Sequence, residues 1–258
     1  MERVEFQQEQ MLAELKDWMD KGLFSRTEAK VIMKKRREFE MALVRRVARK
    51  SDFLRYAAYE MDLERLRRKR VGKIKEGSRR TLSDYGIVKR VFQIFERAVR
   101  KFKGDVGLWM EYIRVAEKVG AKALGGKITA RAIQMHPTES WLYVMSANRE
   151  MKMGNMAGAR TMMERGIRMN SSDERLWIEW VKLEMGYIQQ LKDKGVEASN
   201  EVVQGGIVQA IIENAIKEIG KDNHVFIKNV ADGISEYPLT DDETRGRLVE
   251  SVISIILK

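Results

Sequence analysis

Residues 177–184, WIEWVKLE, carry two tryptophans and a glutamate at positions i, i+3 and i+7. That spacing is one face of an α-helix. Residues 53–60, FLRYAAYE, have the same spacing, with Phe, Tyr and Glu at the three positions. Because the pattern recurs far along the chain, it predicts a repeat in which an aromatic stripe packs between helices. The aromatic residues that we expect in this repeat core are Phe53, Tyr56, Trp109, Tyr112, Trp141, Trp177 and Trp180.

The distances between these aromatic residues indicate the size of the repeat. Trp141 lies 32 residues after Trp109, and Trp177 lies 36 residues after Trp141. Tyr143 and Glu150 also keep the i, i+7 spacing, just after Trp141. A period in this range is typical of arrays of helical hairpins.

Each aromatic helix is followed by a stretch that contains Ala and Arg, as in residues 95–99 and 159–167. Small residues let paired helices approach closely, and Met153-Gly154-Asn155 can end one helix and turn the chain into the next. We therefore predict an all-α fold, a helical-hairpin solenoid. Such hairpins bury their apolar stripes only by stacking on one another.

Two further helices are predicted ahead of the array. Residues 2–21 read as an amphipathic helix that ends at Gly22, and a Ser with Glu three residues later, Ser25 and Glu28, forms a capping-box pattern. The second helix then runs to Arg49, with Ile32, Phe39, Leu43 and Val47 as its core stripe. We accordingly divide the chain into a helical, basic segment, 1–50, and a repeat array, 51–258.

The remaining elements follow from composition and periodicity. Residues 71–86 contain three glycines and read as an irregular basic connection. Helices are expected at about 173–195, 201–219, 223–235 and 240–257. The last of these has apolar residues and no polar helix after it, so we expect further repeats or a partner there, with self-association of the isolated chain.

Several classes of chemistry lack their residues. The chain has no cysteine, which excludes disulfides and thiolate sites, and its two histidines have no metal-ligand spacing. Gly125-Gly126-Lys127 lacks the spacing and the Ser or Thr of a phosphate loop, so we read 120–127 as a hairpin loop. No apolar run approaches the roughly 18 residues that span a bilayer. We predict a protein that is not an enzyme, needs no cofactor and has no membrane partner.

Charge is distributed unevenly along the chain. Residues 1–103 hold 29 Lys and Arg against 16 Asp and Glu, a net charge of +13, whereas residues 104–258 hold 20 against 22, a net charge of −2. A one-sided excess of this kind points to a polyanionic partner or to acidic protein surfaces. The candidate contacts, which we expect to lie outside the repeat core, are Lys34, Lys35, Arg36, Arg37, Arg67, Arg68, Lys69, Arg70, Lys73, Lys75, Arg79 and Arg80.

The repeats resemble half-a-TPR (HAT) repeats, a variant found in RNA-processing assemblies. The resemblance rests on Trp, aromatic and Glu in one helix and on Ala-Arg with Glu-Arg-Ala or Glu-Arg-Gly in the next, and it covers about 51–216. It implies a right-handed array of helix pairs that holds other molecules together.

The first part of the chain resembles a narrower family. Residues 21–24, KGLF, residues 34–40, KKRREFE, and residues 52–56, DFLRY, are similar to the signature of the U3 small nucleolar RNA-associated protein 6 family. The resemblance implies a nucleolar subunit of the small-subunit processome, within the UTP-B subcomplex. Its expected partners are WD40 propeller proteins of UTP-B, together with pre-rRNA and U3 snoRNA, directly or indirectly.

Two other functions stay open at this point. A HAT scaffold could serve mRNA splicing or 3′-end processing, where similar repeats hold proteins together. The chain could also assist an enzyme by binding RNA directly through its basic front. The signature at residues 21–56 argues against the splicing or 3′-end-processing scaffold.

Overall fold

The computed structural model describes residues 2–73, 81, 83–195, 202, 204–220, 223–235, 246 and 249–250, and gives the backbone alone for 2–8 and 10. Within these ranges the chain forms eleven α-helices and no strand, which confirms the predicted all-α fold. The helices are α1 (Glu2–Asp20), α2 (Arg26–Val44), α3 (Lys50–Val71), α4 (Ser83–Lys101), α5 (Val106–Val119), α6 (Lys122–Met135), α7 (Ser140–Lys152), α8 (Met156–Met169), α9 (Glu174–Asp193), α10 (Gly206–Ile219) and α11 (His224–Ser235).

The chain forms two compact units, residues 1–128 and residues 129–258. The first contains α1 to α5, and the second contains α7 to α11. In the first unit α1 packs on α2 and α4, and α3 packs on α4. The predicted boundary after residue 50 concerns where the repeat pattern begins, and it stays a prediction.

The start of the first unit follows the local signals in the sequence. Met11 and Trp18 are buried on one side of α1, and Gly22 ends that helix with a φ of 67°. Ser25 then caps α2, because its Oγ accepts a hydrogen bond from the N–H of Glu28 while the Glu28 carboxylate accepts one from the N–H of Ser25 at 2.8 Å. The predicted capping box is thus confirmed.

The end of α2 differs from the prediction. The helix stops at Val44, because Arg45 adopts an extended conformation with ψ of 148°. Val47 therefore lies beyond the helix and is 76% exposed, so its place in the core stripe is wrong, and Ala48 is buried instead. Gly86 also departs from expectation, since it lies inside α4 and not in an irregular connection.

Helices α5 to α9 reveal a regular period. The residues that cap α5, α7 and α9 at their N-termini are Asp105, Glu139 and Asp173, which lie at i, i+34 and i+68 in the sequence. Gly120 and Gly154 are separated by the same interval, and they turn the chain after α5 and α7 with φ of 80° and 79°. The loop that we predicted at 120–127 is thus a short turn, and α6 begins at Lys122.

The same period fixes which aromatic residue occupies each repeat. Trp109, Tyr143 and Trp177 follow one another at this interval, and each donates a side-chain hydrogen bond to the backbone carbonyl six residues earlier, at 3.2, 3.0 and 2.9 Å. Tyr143 therefore holds the repeat position, and Trp141 is 44% exposed. The prediction that Trp141 lies in the core is wrong. The other predicted aromatics are buried, Trp180 only partly.

In the second unit, α7 and α8 form an antiparallel hairpin joined by the predicted turn at residues 153–155. A Cβ on Gly166 would lie 3.0 Å from the Tyr143 side chain, so the small residue lets the two helices come close together. Helix α9 packs against α7, α8, α10 and α11. The helix predicted at about 240–257 lies outside the described residues except at positions 246, 249 and 250.

Candidate functional site

The basic residues of α2 do not all face solvent. Lys34, Lys35 and Arg37 are exposed, and Lys35 is paired with Glu38 at 2.8 Å. The side chain of Arg36 is 0% exposed and points into the first unit. The expectation that Arg36 contacts an external partner is therefore wrong. The sequence shows its charge but not the acids that meet it from other helices.

Arg36 belongs to a buried ionic network, defined here as Glu14, Arg36, Glu60 and Arg90, to which α1, α2, α3 and α4 each contribute one residue. Arg36 donates two hydrogen bonds to Glu60, from Nε at 2.8 Å and from Nη2 at 2.9 Å. A third bond runs from Arg36 Nη1 to Glu14 at 3.0 Å. Arg90 donates to Glu14 at 2.7 Å and to Glu60 at 3.4 Å. The network thus ties all four helices together.

The surroundings of this network explain two neighbouring residues. Gly86 lies in α4 where a Cβ would collide with the carboxylate of Glu14, so glycine leaves room for the acid. Tyr56 packs beside the network, and burial, together with the negative charges of Glu60 and Glu40, holds the pKa of its hydroxyl above the usual range. Burial lowers the pKa of Arg90, but the carboxylates of Glu60 and Glu14 outweigh it and raise that pKa.

Arg67, from the second predicted cluster, is also internal. It donates a bidentate pair to Glu64 at 2.8 and 3.0 Å and reaches Asp84 of α4 at 2.8 Å. These bonds and the charges of both acids raise the pKa of Arg67. The expectation that Arg67 lies outside the core and contacts RNA or an acidic partner is therefore wrong.

Arg70 lies at the edge of the first unit and is partly exposed. Its guanidinium donates to Glu28 at 2.7 and 3.0 Å and to the Leu23 carbonyl at 2.8 Å, and it lies 4.6 Å from the centre of the Phe24 ring. The hydrogen bond from Arg70, with that from the Ser25 backbone, lowers the pKa of Glu28 to about 2. Arg70 thus joins the end of α3 to the start of α2.

The rest of that cluster divides into three groups. Arg68 is exposed and pairs with Glu64 at 2.7 Å. Lys69 and Lys73 are exposed at the end of α3. Lys75, Arg79 and Arg80 lie outside the described residues. Of the residues predicted in this cluster, Lys69 and Lys73 are therefore the ones whose side chains are exposed and make no ion pair with another described residue.

The exposed cations of α2 form a row along one side of the helix, which replaces the predicted run at residues 34–37 as the candidate contact surface. We name Arg26, Lys30, Lys34 and Arg37 the α2 stripe: they lie at i, i+4, i+8 and i+11, on one side of the helix. Their side chains make no ion pair with any other residue described for this chain. The candidate contacts predicted from the sequence did not include Arg26 and Lys30, although the i, i+4 spacing of these residues and Lys34 is visible in the sequence.

A simpler ion pair occupies the second unit. Glu184, in α9, is buried and accepts two bonds at 2.8 Å from Arg160 of α8. The Arg160 guanidinium also lies 5.5 Å from the centre of the Tyr187 ring. The hydrogen bond to Glu184 raises the pKa of Arg160. This pair locks α9 against the preceding helix.

The described part of the chain offers neither a metal site nor a membrane span. No group of three or more His, Cys, Asp or Glu side chains in those ranges could hold a metal ion. Among the same residues, no helix is both long and apolar enough to cross a membrane. The features that stand out are therefore helix-joining ion pairs and an exposed cationic stripe.

The network and the α2 stripe lie within the part of the chain that a known family matches. Residues 8–90 match the family described as U3 small nucleolar RNA-associated protein 6. The chain is 36% identical to the U3 small nucleolar RNA-associated protein 6 of Schizosaccharomyces pombe, over 86% of this chain and 44% of that protein. It is 30% identical to the mouse homolog of that name, over 86% of this chain and 40% of that protein.

The chain is a relative of the U3 small nucleolar RNA-associated protein 6 family. The family predicted from residues 21–56 is thereby confirmed. The homolog from Dictyostelium discoideum, 32% identical over 78% of this chain, extends the relationship beyond fungi and animals. This chain spans less than half the length of these relatives.

Proposed function

We propose that this chain is a non-catalytic scaffold subunit of the U3 snoRNP and small-subunit processome, acting in the nucleolus to support pre-rRNA processing and small-subunit (18S-type) rRNA biogenesis. The observation that carries the proposal is the kinship with proteins named for association with U3 small nucleolar RNA. The same kinship favours it over a scaffold in splicing or 3′-end processing. Its partners would be the WD40 propeller proteins of UTP-B, pre-rRNA and U3 snoRNA.

The α2 stripe supports a direct contact with RNA in this proposal. Its side chains are exposed and make no ion pair with another described residue, and only Lys34 acts through its charge on a nearby acid, Glu38, so their charge is available to phosphates. Lysine and arginine bind phosphates by releasing condensed counterions, which makes such binding strongly salt-dependent and only weakly sequence-specific. Lys69, in the last turn of α3, and Lys73, two residues after the end of that helix, would extend the contact.

Two measurements test the proposal. Affinity purification of the full protein from cells should recover U3 snoRNA and propeller proteins, and recovery of spliceosomal or cleavage factors instead would refute it. For the RNA contact, purified chain is titrated with single-stranded RNA at several salt concentrations. Replacing Lys30, Lys34 and Arg37 by Gln should weaken binding by roughly tenfold or more and flatten the salt slope by about two, at about 0.7 per lost phosphate contact.

A matched variant controls for net charge. Replacing Arg165, Arg168 and Lys217 by Gln removes the same charge from exposed positions in the second unit. This variant should keep most of the wild-type RNA affinity and salt slope. If both triple variants lose affinity equally, the stripe is not a specific contact. If neither does, the stripe is not an RNA contact.

A further inference from the structure

An apolar groove runs between α2 and α3 in the first unit, with a volume of about 430 Å³. It is lined mainly by Phe24, Val31, Ile32, Tyr59, Leu63 and Leu66. Phe24, Ile32 and Leu63 are buried and form its floor. Val31 is 62% exposed and Leu66 is 40% exposed, so one apolar side chain from each helix stands open to solvent along the groove.

The acids that line the groove are already neutralised. Glu28 is paired with Arg70 at 2.7 Å, and Asp62 is paired with Arg65. Neither acid therefore contributes a free negative charge to the groove.

Cations without an ion pair among the described residues flank the groove on both helices. On α2, Lys34 is one turn after Val31, on the same side of the helix. On α3, Lys69 is one turn after Leu66 and Arg55 is one turn before Tyr59. The groove is thus apolar inside and positive outside.

We propose that this groove binds a segment of a partner protein that carries apolar anchor side chains flanked by Asp and Glu. The inference rests on the proposed scaffold function and names the chemistry of one partner. Apolar anchors would bury Val31 and Leu66, while acids on either side would meet Lys34, Arg55 and Lys69. Such complementarity, an apolar centre with a charged rim, is usual for docked helices and peptides.

The surface fits RNA less well than protein. An apolar floor offers nothing to a phosphate, and base stacking needs an open aromatic face. Phe24 is buried, with the Arg70 guanidinium over its ring at 4.6 Å. Tyr59 packs against Phe39, with 5.4 Å between ring centres. The cations of the α2 stripe can serve both a phosphate backbone and this groove, but the groove itself selects apolar side chains.

The test places a photo-crosslinking amino acid at position 31 of the full protein in cells and identifies the linked residues by mass spectrometry. Position 225, a 69% exposed valine in the second unit, serves as the control. We expect position 31 to link, above the control, to a protein segment that has at least two apolar residues and an excess of Asp and Glu. A synthetic copy of that segment is then titrated against the purified chain.

The titration decides where the segment binds. Val31→Glu combined with Leu66→Glu should weaken binding about tenfold or more, whereas Val225→Glu should leave it unchanged. Both changes are at exposed positions, and circular dichroism checks that each variant stays helical. Links only to RNA, to residues 74–80 of the same chain or to a second copy would overturn the inference, as would no link above the control or a titration that the double change does not affect.

The outcomes separate the two proposals. If the crosslink fails while the protein still purifies with U3 snoRNA, the groove inference is wrong and the scaffold function stands. If U3 snoRNA and propeller proteins are absent from the purification, the scaffold function itself is wrong.

Discussion

Glu60 and Glu184 hold the same position in the repeat pattern, seven residues after the first aromatic, and both are buried. Each accepts two hydrogen bonds from an arginine 24 residues earlier, Arg36 or Arg160. The two sites differ in what surrounds the pair. Arg36 is 0% exposed and also binds Glu14, and Arg90 also reaches Glu60, whereas the side chain of Arg160 is 29% exposed.

The difference shows that one sequence signal can support two kinds of helix joint. In the first unit, the four charged side chains of the network neutralise one another. Removal of any one therefore leaves a buried charge without an opposite charge beside it. In the second unit, the outer arginine lies near solvent, and water can hydrate what remains. The repeat glutamate therefore marks a contact to the preceding helix, and neighbouring residues decide how strongly the fold depends on it.

The largest effect should come from Arg36→Ala. It removes the guanidinium that joins Glu60 to Glu14, and loss of one member of a buried ion pair typically destabilises by about 3–5 kcal/mol. We expect a loss of this size in the free energy of unfolding of the first unit, measured by urea denaturation and by hydrogen exchange of α1 to α4. Arg37→Ala, at the exposed neighbouring position, should change stability by less than about 0.5 kcal/mol. Equal effects of the two changes would show that the network does not hold the unit together.

A comparably large effect is expected at the aromatic position of the second unit. Trp177→Ala should destabilise that unit by about 3–5 kcal/mol, since it removes a buried side chain together with its hydrogen bond to the Ser171 carbonyl. Trp141→Ala should have an effect below about 1 kcal/mol, because the indole is 44% exposed. Thermal and urea unfolding of both variants, followed by hydrogen exchange of α7 to α9, measure the contrast. A larger effect at Trp141 would mean that the repeat register set by Tyr143 is wrong.

Trp141 also shows which part of the fold the sequence predicts. Patterns within a few residues, such as the capping box at Ser25 and the apolar face of α1, were read correctly because neighbours in the chain decide them. The prediction misplaced Trp141 because a second aromatic residue, Tyr143, lies two positions later and is also close to the expected repeat spacing from Trp109 and Trp177. The regular N-terminal caps at Asp105, Glu139 and Asp173 would have settled the choice.

The candidate site was harder to predict than the fold. A run of four cations at 34–37 covers more than a full turn of a helix, so its members cannot all face solvent when one side of the helix is buried. Arg36 points inward to acids from α1 and α3, and Arg67 to one from α4. Those contacts join residues of different helices. The sequence pattern alone does not indicate which helices pack together, so it does not predict these contacts.

A smaller effect is expected from Arg160→Ala. It leaves Glu184 buried with unsatisfied oxygens, but the site opens toward solvent where Arg160 was 29% exposed. We expect a loss of about 1–3 kcal/mol, the range for one unsatisfied buried group. Urea unfolding of the second unit measures it, and Arg165→Ala, an exposed arginine on the same helix, should stay near wild type. A loss as large as that for Arg36→Ala would erase the contrast between the two joints.

The smallest effect concerns Glu28, which joins Arg70 at the solvent edge of the first unit. Its pKa is lowered from 4.5 to about 2, chiefly by the hydrogen bond from Arg70. A carboxyl whose pKa is lower in the folded state stabilises the fold above its unfolded pKa, and this stabilisation is lost as the pH falls from about 4.5 through 2.

Because the side chain is 42% exposed, solvent screens the pair, and we expect Glu28→Gln to destabilise by less than about 1 kcal/mol at pH 6. Glutamine keeps an acceptor for the Ser25 N–H, so the charge alone is removed. The free-energy difference between wild type and Glu28→Gln, followed by hydrogen exchange of α2 from pH 6 to pH 2, should shrink toward zero over this window. A difference that is independent of pH would place the effect in the cap and not in the ion pair with Arg70.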